Sequence, residues 1–218
     1  MQENIIQILL FSEILVFLSV IFLQMVKESK KVVIVYAFQS AMVTLMLFVI
    51  SYTEQSFTLF LSALAMLLVK SVASPKFFFR LIDDRKVNVS ASAYLSTPLT
   101  LLVIMFIVIL ANSTVFLPLL TLSGENQQIV SIALSSILAS LFLTINRRGA
   151  LSQIIGILSL ENSIVSFTAL MGIKQELGLE LGIIFDISVW MIIATVFTTM
   201  MYKHFGTLNI TEIKHLKD

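Results

Sequence analysis

Long apolar runs constrain the fold of this chain more than any other feature. Seven stretches approach the roughly 20 apolar residues that an α-helix needs to cross about 30 Å of hydrocarbon. By number they are 5–25, 32–51, 57–79, 95–112, 129–144, 149–171 and 181–202. We therefore predict an all-α, polytopic transmembrane helix bundle of about seven helices, in which the fifth helix is the shortest.

The composition agrees with lipid as the main solvent of the chain. Apolar residues make up 58% of the sequence and charged residues only 12%, about half the charge of a soluble globular domain. Seven glycines and three prolines in 218 residues leave little material for long loops. The sequence therefore predicts helices joined by short connectors and excludes a separate soluble domain.

Basic residues occur in alternate connectors, a bias that sets the orientation of a membrane protein. Twelve of the fourteen Lys and Arg residues lie in or next to the first, third and fifth connectors or in the C-terminal tail. They are Lys27, Lys30, Lys31, Lys76, Arg80, Arg85, Lys86, Arg147, Arg148, Lys203, Lys214 and Lys217. We predict an outside N-terminus, a cytoplasmic C-terminus and a multi-pass location in the cell (inner or cytoplasmic) membrane.

Polar residues interrupt the apolar pattern near residue 113 and divide the chain. The predicted regions are a four-helix N-terminal membrane region at 1–112, an extracytoplasmic connector at 113–128, and a three-helix region with a short cytoplasmic tail at 129–218. No internal repeat relates the two helical regions.

Redox and soluble-enzyme chemistry lack the residues that they need. The chain has no cysteine, which excludes thiolate metal sites and iron–sulfur clusters, and its two histidines, His204 and His215, both lie in the tail. No glycine-rich phosphate loop, HExxH or GxSxG motif is present. We expect no cofactor, no metal, no catalytic residue and no nucleic-acid partner.

Lys76 lies at the cytoplasmic end of the third span. Four ionisable residues fall deeper inside the predicted spans, namely Glu13, Lys70, Glu161 and Asp186. A charge at membrane depth costs about 2.5–3.5 kcal/mol on insertion scales, so such residues usually face the bundle interior and carry function. We take these four as candidates for ion translocation.

Each candidate also has a structural interpretation. Glu161 and Lys70 could relay protons or only form ion pairs, Lys70 could extend toward the cytoplasm, and Asp186 could be a solvated helix-end carboxylate. Supporting polar residues are Asn162, Ser159, Ser166 and Gln39, the last as a helix–helix contact.

Three segments together resemble component E of hydrogenase-4 and formate-hydrogenlyase-type membrane complexes. They are the tail FGTLNITEIKHLKD, the stretch INRRGALSQIIGILSLENSIVSFTALMG, and LSALAMLLVKSVASP with its spacing from Lys70 to Pro75. The resemblance covers essentially the whole chain and rests on the order and spacing of these segments.

The region from 129 onward is similar to the K subunit of respiratory complex I and to the C subunit of multi-subunit sodium/proton antiporters. The matching positions are Arg147, Arg148, Glu161, Asp186 and Leu208-Asn209-Ile210. Glu161 lies about one turn from the K-subunit glutamate, and Asp186 stands where that subunit has glutamate.

The resemblance implies a non-catalytic membrane subunit of an energy-converting hydrogenase or complex I-like assembly. Such a subunit has no redox centre of its own, links antiporter-like subunits and contributes to proton or sodium translocation through a hydrophilic axis. Two alternatives remain open: an autonomous secondary transporter, which the lack of related halves disfavours, and a structural membrane scaffold.

Overall fold

A computed structural model describes residues 2–85, 92–121, 123 and 127–172 of the 218. This described part of the chain is helical and contains no β-strand, which confirms the all-α prediction. Its helices are α1 (Gln2–Met25), α2 (Ser29–Thr53), α3 (Phe57–Met66), a π-helical segment (Leu67–Ala73), α4 (Ser74–Arg85), α5 (Thr97–Ala111), α6 (Leu117–Thr121), α7 (Gln127–Asn146) and α8 (Ala150–Leu170).

Five helical rods are long and apolar enough to cross a membrane. They are α1, α2, α7, α8 and one continuous rod that runs from α3 through the π-helical segment into α4. Because this rod is the third of the five along the chain, we call it the third rod. Their outer surfaces carry large exposed apolar side chains, such as Phe11, Phe22 and Ile145, which suit contact with lipid. The other two predicted crossings, the fourth and the seventh, rest on α5, which is shorter, and on 181–202, which lies outside the described residues.

One detail of the predicted helix lengths is wrong. The fifth predicted span forms α7, with 20 residues, whereas the fourth forms α5, with only 15. At about 1.5 Å per residue, α5 extends roughly 22 Å. Pro98 lies in its first turn and Asn112 ends it, while the polar residues Gln127 and Asn146 extend α7 beyond its apolar core.

The π-helical segment lies inside the third rod, next to a proline. Pro75 has no backbone N–H with which to bond the carbonyl one turn earlier. The backbone N–H and the hydroxyl of Ser74 both donate to the Val69 carbonyl, the hydroxyl at 2.9 Å. This wider turn contains Lys70, and π-helical turns of this kind often occur at functional sites.

Four helices form a closed ring around the interior. α1 packs against α2 and α7, and α8 packs against the same two helices from the opposite side. The third rod packs on α2, and α5 packs on α7. Helices from both sides of the 113–128 connector therefore share one bundle.

α7 and α8 approach each other closely at Gly156. A Cβ atom added there would lie 2.9 Å from the Thr144 hydroxyl oxygen and 3.0 Å from the Thr144 Cα. Such contacts are too short for a side chain, so glycine is needed at this crossing. Small residues at close crossings are typical of helix pairs in membranes.

Candidate functional site

Lys70 is buried within the bundle, with 1% of its side chain exposed. Its Nζ lies 3.1 Å from Glu161 Oε1, forming a salt bridge from the third rod to α8. The same Nζ donates a hydrogen bond of 3.2 Å to Asn162 Oδ1. The lysine therefore points across the bundle, toward α8, and two adjacent residues of that helix hold its ammonium group.

Glu161 is the more accessible partner in this salt bridge, since a quarter of its side chain, 25%, is exposed. The pair is therefore asymmetric: Lys70 is enclosed in the interior of the bundle, and Glu161 reaches the surface of the bundle.

Asn162 connects the ion pair to α2. Its Oδ1 accepts the hydrogen bond from Lys70, and its Nδ2 donates a hydrogen bond of 2.8 Å to Ser40 Oγ. Both Asn162 and Ser40 are buried, so these bonds satisfy groups that water cannot reach. We call Lys70, Glu161, Asn162 and Ser40 the central polar cluster.

Hydroxyl groups continue this polar layer between α7 and α8. Ser140 Oγ lies 3.2 Å from Ser159 Oγ and 3.1 Å from Ser163 Oγ, and all three side chains are buried. Each hydroxyl can both donate and accept, so the hydrogen bonds along this row can point in either direction.

Apolar side chains lie on both sides of the polar layer. On α2, the third rod, α7 and α8, the polar residues fall between two apolar clusters along the sequence of each helix. One cluster contains Val43, Met66, Ala133 and Val165. The other contains Tyr36, Phe78, Leu143 and Leu158. The polar layer therefore lies midway along the bundle, the depth at which charge costs most in a membrane.

Glu13 forms a separate site on α1. Its side chain is fully buried, and the hydroxyls of Ser136 on α7 and Ser166 on α8 contact its two carboxylate oxygens. The Ser136 contact measures 3.0 Å. Within the described part of the chain, no basic side chain forms a salt bridge with Glu13.

Several buried polar atoms near the centre have no hydrogen-bond partner among the described residues. The amide oxygen and nitrogen of Gln39 are both without one, and so is the Ser12 hydroxyl. Gln39, which the sequence indicates as a helix–helix contact, is completely buried. Buried amides usually find a partner in protein or in ordered water.

A second polar network ties the far end of α1 to α7. Arg147 follows α7, is buried, and donates to the carbonyls of Leu23 and Val26 at the C-terminal end of α1, the second at 2.8 Å. Burial lowers the pKa of the Arg147 guanidinium to about 10, so the group remains charged at neutral pH. A cation on these carbonyls complements the negative end of the helix dipole.

Asn146 joins the same network to α5. Its Nδ2 donates to Gln24 Oε1 and to Thr100 Oγ1, each at 3.3 Å, and its Oδ1 accepts from the backbone N–H of Leu95 at 3.0 Å. Arg147 and Arg148 were predicted to act as an orientation signal. Arg147 also connects the end of α7 to α1.

The structure brings together only some of the predicted candidates. Lys70, Glu161 and Asn162 meet directly, Ser166 contacts Glu13, and Ser159 belongs to the hydroxyl row. Asp186 lies outside the described residues, so its part in the site stays a prediction.

Sequence reasoning missed three serines that complete these contacts, namely Ser40, Ser136 and Ser140. A signal for two of them exists in α7, where Ser136 and Ser140 lie four residues apart, about one helical turn. Serines at that spacing lie on the same face of a helix that is otherwise apolar.

The fold and the site together define a class: an all-helical protein with several membrane-length helices and an ion pair buried midway along them. Among the described residues, no group of three or more His, Cys, Asp or Glu could hold a metal ion. Comparisons with protein-family models, with characterised proteins and with solved structures find no match for this chain.

Proposed function

We propose that this chain is a non-catalytic membrane subunit of an energy-converting hydrogenase or complex I-like assembly. In that role it links antiporter-like subunits and carries part of a proton or sodium path in the cell membrane. The proposal includes seven crossings, with the N-terminus outside and the C-terminus in the cytoplasm. The observation that carries it is the Lys70–Glu161 pair, buried midway along the bundle and held by Asn162.

The energetics of the pair support a functional role. Burying two charges costs several kcal/mol per ion before their mutual attraction is counted, and replacing a buried pair by apolar residues is often neutral or stabilising. Lys70 and Glu161 therefore contribute little that leucine could not, if stability were their only task. A π-helical turn at Lys70 adds a second costly feature at the same place.

The chemistry of the cluster also suits ion movement. Lysine and glutamate can each bind and release a proton, and the charge of one changes the proton affinity of the other. Asn162 and Ser40 connect the pair to α2, and the serine row connects α7 and α8. In the proposed path, Asp186 extends this axis into the last predicted helix, as the resemblance to the K subunit implies.

Purification tests the proposed assembly. We expect an affinity-tagged chain, extracted from native membranes in a mild detergent, to migrate as a complex of several hundred kilodaltons. Mass spectrometry should identify a nickel–iron large subunit or antiporter-like membrane subunits in the same fraction. A chain that purifies alone as a monomer or small oligomer would contradict the proposal and favour an autonomous transporter.

A further inference from the structure

Glu13 has no part in the proposed path, and its surroundings pose a separate problem. Its carboxyl group lies midway along α1 and is completely buried; among the described residues its hydrogen-bond partners are two serine hydroxyls, and no cation pairs with it. An ionised carboxylate in such a place is very unfavourable unless it is paired or neutralised.

The described helices that pack against α1 supply no compensating positive charge. α5 and α7 contain no charged residue at all, and the one charged residue of α8, Glu161, is an acid that pairs with Lys70. On α2, Lys30 and Lys31 lie in the first turn and pair with Asp83 and Glu28.

The tyrosines of α2 are also directed elsewhere. Tyr36 is buried in the apolar cluster with Leu23 and Phe78, and Tyr52 is exposed at the other end of the helix. No titratable group on the described helices packed against α1 therefore neutralises Glu13.

The hydrogen bonds of Ser136 indicate what does neutralise it. Ser136 Oγ lies 3.0 Å from Glu13 Oε1 and 3.1 Å from the Ile132 carbonyl oxygen. A hydroxyl has one proton and cannot donate fully to two acceptors. If Glu13 Oε1 carries a proton, Glu13 donates to Ser136, and Ser136 is then free to donate to Ile132.

The second carboxyl oxygen fits the same arrangement. Ser166 donates its only hydroxyl proton to Glu13 Oε2, which acts as the carbonyl oxygen of a neutral carboxylic acid. Every donor in the chain from Ser166 through Glu13 and Ser136 to Ile132 then has one acceptor. We propose that Glu13, Ser136 and Ser166 form a binding site for a single proton, separate from the Lys70–Glu161 pair.

A sodium ion fits this site less well than a proton does. The three side chains offer four oxygen atoms, and both carboxyl oxygens already contact a hydroxyl directly. Other polar neighbours are the Ile132 carbonyl oxygen, 3.1 Å from Ser136 Oγ and already an acceptor for that hydroxyl, and the sulfur of Met46, 3.8 Å from Ser166 Oγ, a soft ligand that hard cations avoid. The proton site at Glu13 does not depend on the proposed function, because it would also exist if the chain were an autonomous transporter.

Thermal stability of the full-length chain tests the bound proton. Glu13→Gln keeps the shape of a neutral carboxyl, donating through its amide to Ser136 and accepting from Ser166. We expect this variant to melt within a degree or two of the wild type at pH 5 and to become the more stable protein, by several degrees, near pH 9. The reason is that rising pH removes a proton that only the wild-type fold holds at this site.

The matched control is Glu3→Gln, the same substitution at an exposed position of the same helix. Its melting temperature should follow that of the wild type at every pH. A Glu13→Gln variant that is less stable than the wild type throughout, and increasingly so at high pH, would overturn the proposal, because it would show that the folded protein needs a negative charge here.

Carbodiimide labelling distinguishes a proton from sodium at the same position. Dicyclohexylcarbodiimide reacts with protonated carboxyls in apolar surroundings, so mass spectrometry at pH 7 should detect an adduct on the peptide containing Glu13 and none in the Glu13→Gln variant. The yield should fall as pH rises and stay constant between zero and high sodium concentration. Protection by sodium at constant pH would show that the site holds that ion and would also overturn the proposal.

Discussion

At the scale of single residues, Asn162 is the contact on which the central polar cluster depends most. It joins the third rod to α2, accepting from Lys70 and donating to Ser40, with no exposure to water. The Lys70 ammonium has two acceptors among the described residues, and Asn162 is the fully buried one. Its loss would leave both Lys70 and Ser40 short of a partner.

We expect Asn162→Leu to lower the free energy of unfolding by about 2–3 kcal/mol, the typical penalty for leaving a buried, charged hydrogen-bond donor without its acceptor. Ile164→Leu, on the exposed face of the same helix, is the matched control and should be nearly silent. Melting curves in detergent measure both. Equal melting temperatures for the two variants would show that the Asn162 contacts contribute nothing measurable.

How far single residues can be predicted depends on their chemistry. Glu13, Lys70 and Glu161 are detectable because charge inside an apolar run is rare. Ser40, Ser136 and Ser140 are not, because serine in a helix commonly bonds to its own backbone, as Thr44 and Ser135 do here. Which serine meets which acid depends on the order of helices around the bundle, and a single sequence does not contain that order.

At the scale of helices, apolar length determines most of the boundaries. α1, α2, the third rod, α7 and α8 lie within a few residues of their predicted spans, since apolar runs end where polar connectors begin. The π-helical segment was beyond prediction. Pro75 indicated a free carbonyl, but whether the helix kinks, breaks or widens there depends on tertiary packing.

The crossing of α7 and α8 at Gly156 gives a prediction about a pair of helices. Gly156→Val should destabilise the protein by about 1–3 kcal/mol, the usual cost of overpacking a tight contact, because the new side chain would collide with the backbone of Thr144. Ile164→Val serves as the exposed control on α8. If the Gly156→Val variant melted with the wild type, the close approach of these helices would be refuted.

At the scale of the whole molecule, the predicted orientation and the burial of side chains fit the same placement of the helices in a membrane. The apolar surfaces of the long helices suit lipid, the basic connectors predict one cytoplasmic side, and the polar layer lies midway along the helices. The predicted division at 113–128 does not separate two bodies among the described residues, because α1 and α2 pack directly against α7 and α8.

The chain contains no cysteine, so single introduced cysteines report orientation without background. Thr114 and Lys27 are both exposed and lie in connectors predicted to face opposite sides. A membrane-impermeant maleimide should label Thr114→Cys in intact cells and Lys27→Cys only after permeabilisation. The reverse pattern, or labelling of both in intact cells, would contradict the proposed topology.

The central claim is that the Lys70–Glu161 pair moves ions, and Glu161→Gln tests it most directly. The measurement is the initial rate of proton or sodium translocation in membrane vesicles containing the assembled complex, with Glu54→Gln at an exposed helix end as the control. We predict that this rate falls about tenfold or more, equivalent to roughly 1.4 kcal/mol on the limiting barrier, with normal assembly and an unaffected control. Wild-type ion translocation in an intact Glu161→Gln complex would contradict the claim and leave the pair a structural contact.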